Sequence, residues 1–226
     1  MPVYWLDDRL VFPDPQLADS TGLLAVGGDL KPERLILAYQ NGIFPWFDEG
    51  DTPILWHAPH ERFVITPTSF RFGRSIRKLV NRHRYQLTYD RSFSTVLEGC
   101  ANVSRADQDG TWLGSEMKSA YTALHQLGYA HSAEAYDGDR LVGGLYGVTI
   151  GKVFFGESMF SIEPGVSKII FAELVPKLFD QGYELIDCQI HTEHLERFGA
   201  ELISSSAFLK QLTEYTYDVE KTPWVE

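Results

Sequence analysis

Three residues stand out by type and place. Glu157, Asp187 and Gln189 interrupt stretches that otherwise read as short apolar strands, 153–161 and 185–190. An unpaired charge in such surroundings is expensive, so each acid must be either paired or used. With a side-chain period of two, Asp187 and Gln189 share a face with Tyr183 and Leu185, while Ile186, Cys188 and Ile190 take the other. Glu157 shares its face with Phe155, Met159 and Ser161. Two carboxylates and an amide on neighbouring strands suit proton handling and the orientation of a polar substrate. The alternative is a satisfied core network.

The elements that would position these groups can be read from periodicity and punctuation. Residues 1–22 are rich in Pro and Asp and are expected to be irregular. A helix follows Gly28, with Pro32 in its first turn and Gly42 as its stop. Residues 43–47, Ile-Phe-Pro-Trp-Phe, are too aromatic for a solvated loop and either pack inward or form a stacking surface. Pro53, Pro59 and Pro67 punctuate the next stretch, and a boundary near 60 divides the chain into a small N-terminal α+β domain (1–59) and a larger domain (60–226). The 115–127 segment predicts an amphipathic helix with Met117, Ala120, Tyr121, Leu124 and Leu127 inward. Strands near 131–136, 140–148 and 152–161 form an antiparallel meander, turning at 137–139 and 150–151. A helix over 167–181, bent at Pro176, a strand over 183–190, a short helix ending at Gly199, a strand at 201–204 and a helix at 206–215 complete the chain. This is an α+β mixed sheet flanked by helices, of the pattern seen in N-acetyltransferase (GNAT) folds.

Composition narrows the setting. The 226 residues carry 44% hydrophobic and 23% charged side chains and a net charge of −11, the profile of an ordinary globule with a real core. That charge excludes a general nucleic-acid coat, so any RNA contact has to be local. One local inversion exists. Arg71, Arg74, Arg77, Lys78, Arg82 and Arg84 fall within fourteen residues with no acid among them. Arg74, Arg77 and Lys78 share a helix face opposite Ile76, Leu79 and Val80, which favours phosphate contact over an ordinary solvated face. Two cysteines make no disulfide framework, and no apolar run reaches membrane-spanning length; a cytoplasmic protein without a membrane segment is expected.

Several chemistries fit poorly. In GNAT enzymes a Gly-rich loop after the meander binds the CoA pyrophosphate through backbone N–H groups. Here that connection, 162–167, holds one Gly, a Pro that removes an N–H, and Glu163, so CoA is not expected as the acyl donor. The segment 156–160 starts like a G-x-S-x-G elbow but places Phe160 where the second Gly must be. Cys188 falls on the core face, and His57/His60 and His191/His194 lack a third ligand. No metal and no cofactor are expected.

A family resemblance rests on seven strings in order: Gly27-Gly28-Asp29-Leu30, 39–47 (Tyr-Gln-Asn-Gly-Ile-Phe-Pro-Trp-Phe), Glu98-Gly99-Cys100-Ala101, Gly110-Thr111-Trp112, 143–148 (Gly-Gly-Leu-Tyr-Gly-Val), 156–161 (Gly-Glu-Ser-Met-Phe-Ser) and Ile186-Asp187-Cys188-Gln189. Together, over about residues 23–210, they resemble bacterial leucyl/phenylalanyl-tRNA–protein transferases. The resemblance implies an aminoacyl-tRNA donor charged with Leu, Phe or Met, and a protein acceptor beginning with Arg or Lys. It implies catalytic roles for Asp187, Gln189 and Glu157, and a relay from Asp187 to Gln189 that deprotonates the attacking amine. A neutral amide is a negligible base, so Gln189 is expected to accept a hydrogen bond from the amine, with Asp187 orienting it. The donor side chain would enter an apolar pocket of Leu145, Gly156, Met159, Ser161 and Phe171. Leu145 stands where family members carry Met, and Leu174 and Leu178 where they carry aromatics. Trp46 and Trp112 match tryptophans near the tRNA 3′ adenosine, where an indole can stack on a base. Glu157 is expected to meet the cationic acceptor, and the protein to act as a monomer. Two other readings are an aminoacyl-tRNA-dependent transferase of the peptidoglycan cross-bridge type and a non-catalytic tRNA-binding module.

Overall fold

A computed structural model describes residues 3–48, 53–102, 113–217 and 220–225. In chain order the elements are β1 (Tyr4–Leu6), a 3-10 turn (Pro15–Leu17), β2 (Leu23–Gly27), α1 (Pro32–Gln40), β3 (Phe44–Pro45), β4 (Leu55–His57), β5 (Glu61–Ile65), α2 (Arg74–Val80), β6 (Gln86–Tyr89), α3 (Phe93–Ala101), α4 (Ser115–Gln126), β7 (Ala130–Asp137), β8 (Arg140–Ile150), β9 (Val153–Ser161), α5 (Val166–Asp180), β10 (Leu185–Asp187), α6 (Glu193–Glu196), β11 (Glu201–Ser204) and α7 (Ser205–Thr216). The N-terminal residues are less irregular than their Pro and Asp content suggests. β1 pairs in parallel with β2, because Tyr4 and Leu6 have apolar surface to bury beside it.

Two sheets result. The smaller has the order β1-β2-β4-β3, and the larger the order β11-β5-β10-β9-β8-β7-β6. Within the larger sheet only β9 and β10 run parallel; their register pairs Leu185 with Val153 and Asp187 with Phe155. The sheet is covered on both faces. On one side α1, α3, α4 and α7 pack Leu35, Val96, Leu124 and Phe208 onto Tyr146, Val148 and Phe155, and Leu24, Ala25 and Trp56 of the small sheet join the same core. On the other side α5 lays Ile170, Leu174 and Leu178 onto Val142, Phe154 and Ile186. Burial of both sheet faces explains why β8 and β9 read as nearly continuous apolar runs.

Two sequence expectations change here. Leu127 does not turn inward; it follows the last turn of α4 and is 55% exposed. The strand expected over 183–190 ends at Asp187, and Gln189 adopts φ 62°, outside the strand region. Alternation therefore does not place Gln189. Its side chain is aimed by a left-handed turn, a backbone state that non-Gly residues keep only when their surroundings impose it. Three contacts impose it here. The Gln189 N–H donates to Asp187 Oδ1 at 2.9 Å, the Gln189 carbonyl accepts from Phe63 N–H at 3.3 Å, and Cys188 N–H donates to Phe63 O at 2.8 Å.

Candidate active site

Alternation also fails at Glu157, for a different reason. β8 and β9 pair Tyr146 with Ser158 but Gly147 with Gly156, so Glu157 is the extra residue of a β-bulge. A bulge reverses the parity of everything beyond it. Phe155 packs on the α4 side and Met159 on the α5 side, although a regular strand would put both on one face. Glu157 itself turns towards Tyr39 and Tyr121.

At the same level β10 has ended while β9 continues, so the two parallel strands part. The gap between them is a cavity of about 310 Å³. Leu145, Phe154, Gly156, Met159, Phe171, Ile186 and Cys188 supply its apolar walls, Glu157 and Gln189 its polar end, Phe44 and Trp46 one rim, and Ile190, His194 and Leu195 another.

The polar end is a short hydrogen-bonded chain. Gln189 Nε2 donates to Glu157 Oε1 at 2.9 Å, and the Tyr121 hydroxyl donates to Glu157 Oε2 at 2.8 Å. The Tyr39 and Tyr121 hydroxyls lie 2.8 Å apart. Either hydroxyl can be the donor of that pair, and both interact with the Glu157 carboxyl. Burial pushes the Glu157 carboxyl up to about 7; the hydroxyls of Tyr121 and Tyr39 pull it down, the neighbouring Asp187 charge pushes it up, and Arg62 pulls it down. Burial also raises both tyrosines well above their ordinary values, so they remain donors.

Asp187 lies beneath this chain and takes no part in lining the cavity. It is fully buried, and Arg62, 2% exposed, holds it. Arg62 Nη2 pairs with Asp187 Oδ2, Arg62 Nε donates to Oδ1 at 3.2 Å, and Arg62 Nη1 donates to Gly42 O at 2.7 Å. Phe44 and Phe208 cover the guanidinium with their ring centroids 4.9 and 4.5 Å away. Both Asp187 oxygens are thus occupied, Oδ1 by Arg62 and the Gln189 amide, Oδ2 by Arg62. An anion so placed organises a turn, and it does not border the cavity.

Two sequence models match the chain: the family described as leucyl/phenylalanyl-tRNA protein transferase over residues 64–213, and its N-terminal domain over residues 28–60. A leucyl/phenylalanyl-tRNA–protein transferase of Myxococcus xanthus is 50% identical over 214 residues, 94% of this chain and 91% of that protein. The corresponding protein of Desulforapulum autotrophicum is 49% identical over 226 residues, covering 100% and 98%. The chain belongs to this family. It is an aminoacyltransferase. Among solved structures, FemX aligns with a TM-score of 0.51 at 10% identity over 76% of this chain and 66% of its own, a likeness of fold alone. A GCN5-related N-acetyltransferase-like protein from Streptococcus suis aligns at a TM-score of 0.37 and 18% identity, over 74% and 61%. The fold is α+β, a mixed sheet flanked by helices.

In this leucyl/phenylalanyl-tRNA–protein transferase relative, Glu157, Gln189, Leu145, Gly156, Met159, Phe171 and Trp46 all border the one cavity. Ser161 does not. It lies beyond the bulge, exposed, where its Oγ accepts the Ser167 N–H at 2.8 Å near the start of α5. Leu174 and Leu178 are fully buried under the sheet rather than in the cavity wall. Residues 43–47 divide between the two roles open to them: Ile43, Phe44 and Phe47 pack inward, while Trp46 is 36% exposed at the rim, 5.5 Å from the His57 ring. Trp112, with Gly110 and Thr111, lies outside the described residues.

Arg71, Arg74, Arg77, Lys78, Arg82 and Arg84 are all exposed on or beside α2, but they are not equivalent. Arg84 is paired with Asp137 and Glu163, Arg71 lies 3.9 Å from Glu201, and Arg77 covers Phe72 at 5.8 Å. Glu163, the acid in the connection that would have to cradle a CoA pyrophosphate, also pairs with Arg140 and accepts from Tyr85 at 2.9 Å. Cys188 borders the cavity, yet burial pushes its thiol well above the usual range, which leaves it a poor nucleophile. Asp90, His125 and His131 bring ligand atoms within 4.8 Å of one another, away from the cavity. There His131 Nδ1 already meets Asp90 Oδ2 at 2.7 Å, and His125 Nδ1 meets Ala130 O at 2.8 Å. Among the described residues no helix is long and apolar enough to cross a membrane.

The sequence reading missed Tyr39, Tyr121 and Arg62. A signal for Arg62 was present: an arginine at the head of the apolar run Phe63-Val64-Ile65 needs a buried carboxylate, and Asp187 is one.

Proposed function

We propose that this protein, acting as a monomer in the cytoplasm, moves Leu, Phe or Met from aminoacyl-tRNA to the α-amino group of proteins that begin with Arg or Lys, marking them for N-degron-dependent degradation. The observation that carries the reading is the Glu157–Gln189 pair at the polar end of an apolar cavity. The donor's side chain occupies the apolar part, bounded by Leu145, Gly156, Met159 and Phe171. Trp46 at the rim stacks on the terminal adenine, and the exposed cations of α2 meet tRNA phosphates. The two sheets correspond to domains at 1–59 and 60–226.

The chemistry is aminolysis of an ester, which is already activated, by an amine with a pKa of about 8. Gln189 Nε2 is committed to Glu157, so Gln189 Oε1 faces the cavity and accepts a hydrogen bond from the incoming amine. That bond aims the nitrogen lone pair at the ester carbonyl carbon. As the C–N bond forms, the amine proton passes to Glu157, whose raised pKa matches this task. The C–O bond to the ribose then breaks, and the proton leaves with the ribose oxygen. Asp187 is a positioning residue: it fixes the Gln189 turn and neutralises Arg62. Before reaction, the Glu157 carboxylate also offers a counter-charge to the acceptor's cationic end. Incubation with leucyl-tRNA carrying labelled leucine and an Arg-initiated peptide tests the proposal. Label should appear in the peptide; label that stays on tRNA or is released only as free leucine contradicts it.

A further inference from the structure

Residues 220–225 lie beyond the 64–213 span that the family model matches, yet this tail is packed against the back of the cavity. Thr222 and Val225 are buried, and Tyr183 donates its hydroxyl to Thr222 O at 3.3 Å. Trp224 stacks on two rings: on His131, with centroids 4.6 Å apart and planes at 13°, and on Phe154, at 5.6 Å and 28°. The Trp224 indole N–H is buried with no hydrogen-bond partner among the described residues. Ring contacts, not polar ones, therefore hold it there.

Phe154 is the link to the donor pocket. It lines the cavity, and its ring lies across a notch made by two glycines. A Cβ on Gly147 would sit 2.4 Å from Phe154 Cζ, and one on Gly156 would sit 3.9 Å from Phe154 Cε1. His131 and Gly147 are register partners, and Gly147 pairs in turn with Gly156, so the notch and both rings form one row across the sheet. The His131 end of the row is fixed by Asp90 Oδ2 at 2.7 Å and Gly128 O at 3.2 Å. The Phe154 end is held by packing, by Ile170 and Ile186 of the same core and by the indole, which braces the ring on the Trp224 side.

We propose that Trp224 is a specificity-determining residue: by bracing Phe154 against the glycine notch it sets the depth of the pocket for the donor's side chain. The inference rests on the donor-site reading above. With the indole gone, Phe154 can fall back into the vacated space and the pocket deepens. Leucine then loses wall contact, while phenylalanine gains room.

The test compares kcat/KM for phenylalanyl-tRNA and leucyl-tRNA at a saturating Arg-initiated peptide, in the wild type, Trp224→Ala and Trp224→Phe. The Phe-to-Leu ratio should rise about tenfold in Trp224→Ala, the low end of what one methylene is worth in an apolar pocket. It should rise less in Trp224→Phe, which keeps a smaller ring in place. If Trp224→Ala does not fold, the smaller rise in Trp224→Phe still has to appear. A ratio that is unchanged or lowered overturns the inference, including the case in which both donors lose activity equally because the tail only stabilises the fold. A wild type that transfers neither amino acid would overturn the donor-site reading, and this inference with it.

Discussion

Gln189 donates its Nε2 proton to Glu157 Oε1 at 2.9 Å at the polar end of the cavity, which leaves the side-chain Oε1 as the acceptor end of the amide. A carboxylate can only accept, so the orientation of the amide is dictated by its neighbour. Replacing Gln189 separates the two jobs of this amide. Gln189→Ala removes both and should lower kcat/KM by about 10²-fold, the scale of one lost preorganised hydrogen bond. Gln189→Glu keeps an acceptor but sets a second carboxylate against Glu157, so one of the pair must hold a proton near neutrality. That variant should keep partial activity, with its pH profile displaced upward. Wild-type activity in Gln189→Ala would remove the amide from the mechanism.

Asp187→Asn tests the claim that Asp187 positions rather than reacts. It leaves the Arg62 guanidinium buried without a charged partner, at a cost of about 3–5 kcal/mol. For a chain of this size that is a fall in Tm of about 6–20 °C. Turnover should fall along with it. Replacing both partners by apolar residues should recover much of the Tm without recovering turnover, because the Gln189 turn still lacks its acceptor. If Asp187→Asn loses turnover at an unchanged Tm, Asp187 has a direct chemical role.

The basic segment gives a graded outcome. Arg74, Lys78 and Arg82 are exposed with no ion-pair partner among the described residues, whereas Arg84 is engaged by Asp137 and Glu163. Arg74→Ala, Lys78→Ala and Arg82→Ala should each reduce the log–log salt slope of tRNA binding by about 0.7–0.9, with leucyl- and phenylalanyl-tRNA affected alike. Arg84→Ala should change the slope least. Equal slopes in all four variants and the wild type would mark the segment as a solvated face.

Glu157 should also govern recognition of the acceptor. Glu157→Gln removes its charge and should raise the KM for Arg-initiated peptides by about tenfold or more, the scale of one charge-assisted hydrogen bond. An unchanged ratio of kcat/KM between Arg- and Ala-initiated peptides would confine Glu157 to proton transfer or structure.

Much of this architecture was legible beforehand. The meander, the long α5 and the closing strand–helix pair follow from alternation, turn residues and 3.6-residue periodicity. The acids in apolar strands pointed to the site. What alternation could not supply was the geometry within it. The bulge at Glu157 adds a residue that only the pairing with β8 reveals, and the left-handed turn at Gln189 depends on Phe63 and Asp187, distant in sequence or hidden from a periodic reading. Ser161 was assigned to the pocket by family resemblance, and only tertiary structure shows its hydroxyl accepting the Ser167 N–H at the start of α5 instead. Tyr121 read as an inward aromatic of its helix and Tyr39 only as part of a family string, and tertiary packing alone shows that their hydroxyls meet at Glu157.

The pH dependence of transfer tests the central claim, that Glu157 takes the proton of the attacking amine. Its carboxyl is raised to about 7 by burial. An acid whose folded pKa is raised favours the protonated fold, so the stabilising contribution is full below the usual carboxylate range and is lost as pH rises through about 7. Catalysis needs the opposite form, so activity should rise over that same window. Between about pH 5.5 and 7, log kcat/KM for an Arg-initiated peptide should climb with a slope approaching two in the wild type, because Glu157 and the peptide amine, with a pKa of about 8, must both lose a proton. In Glu157→Gln the slope should fall to about one, with a lower plateau. The same slope in both enzymes would contradict the account.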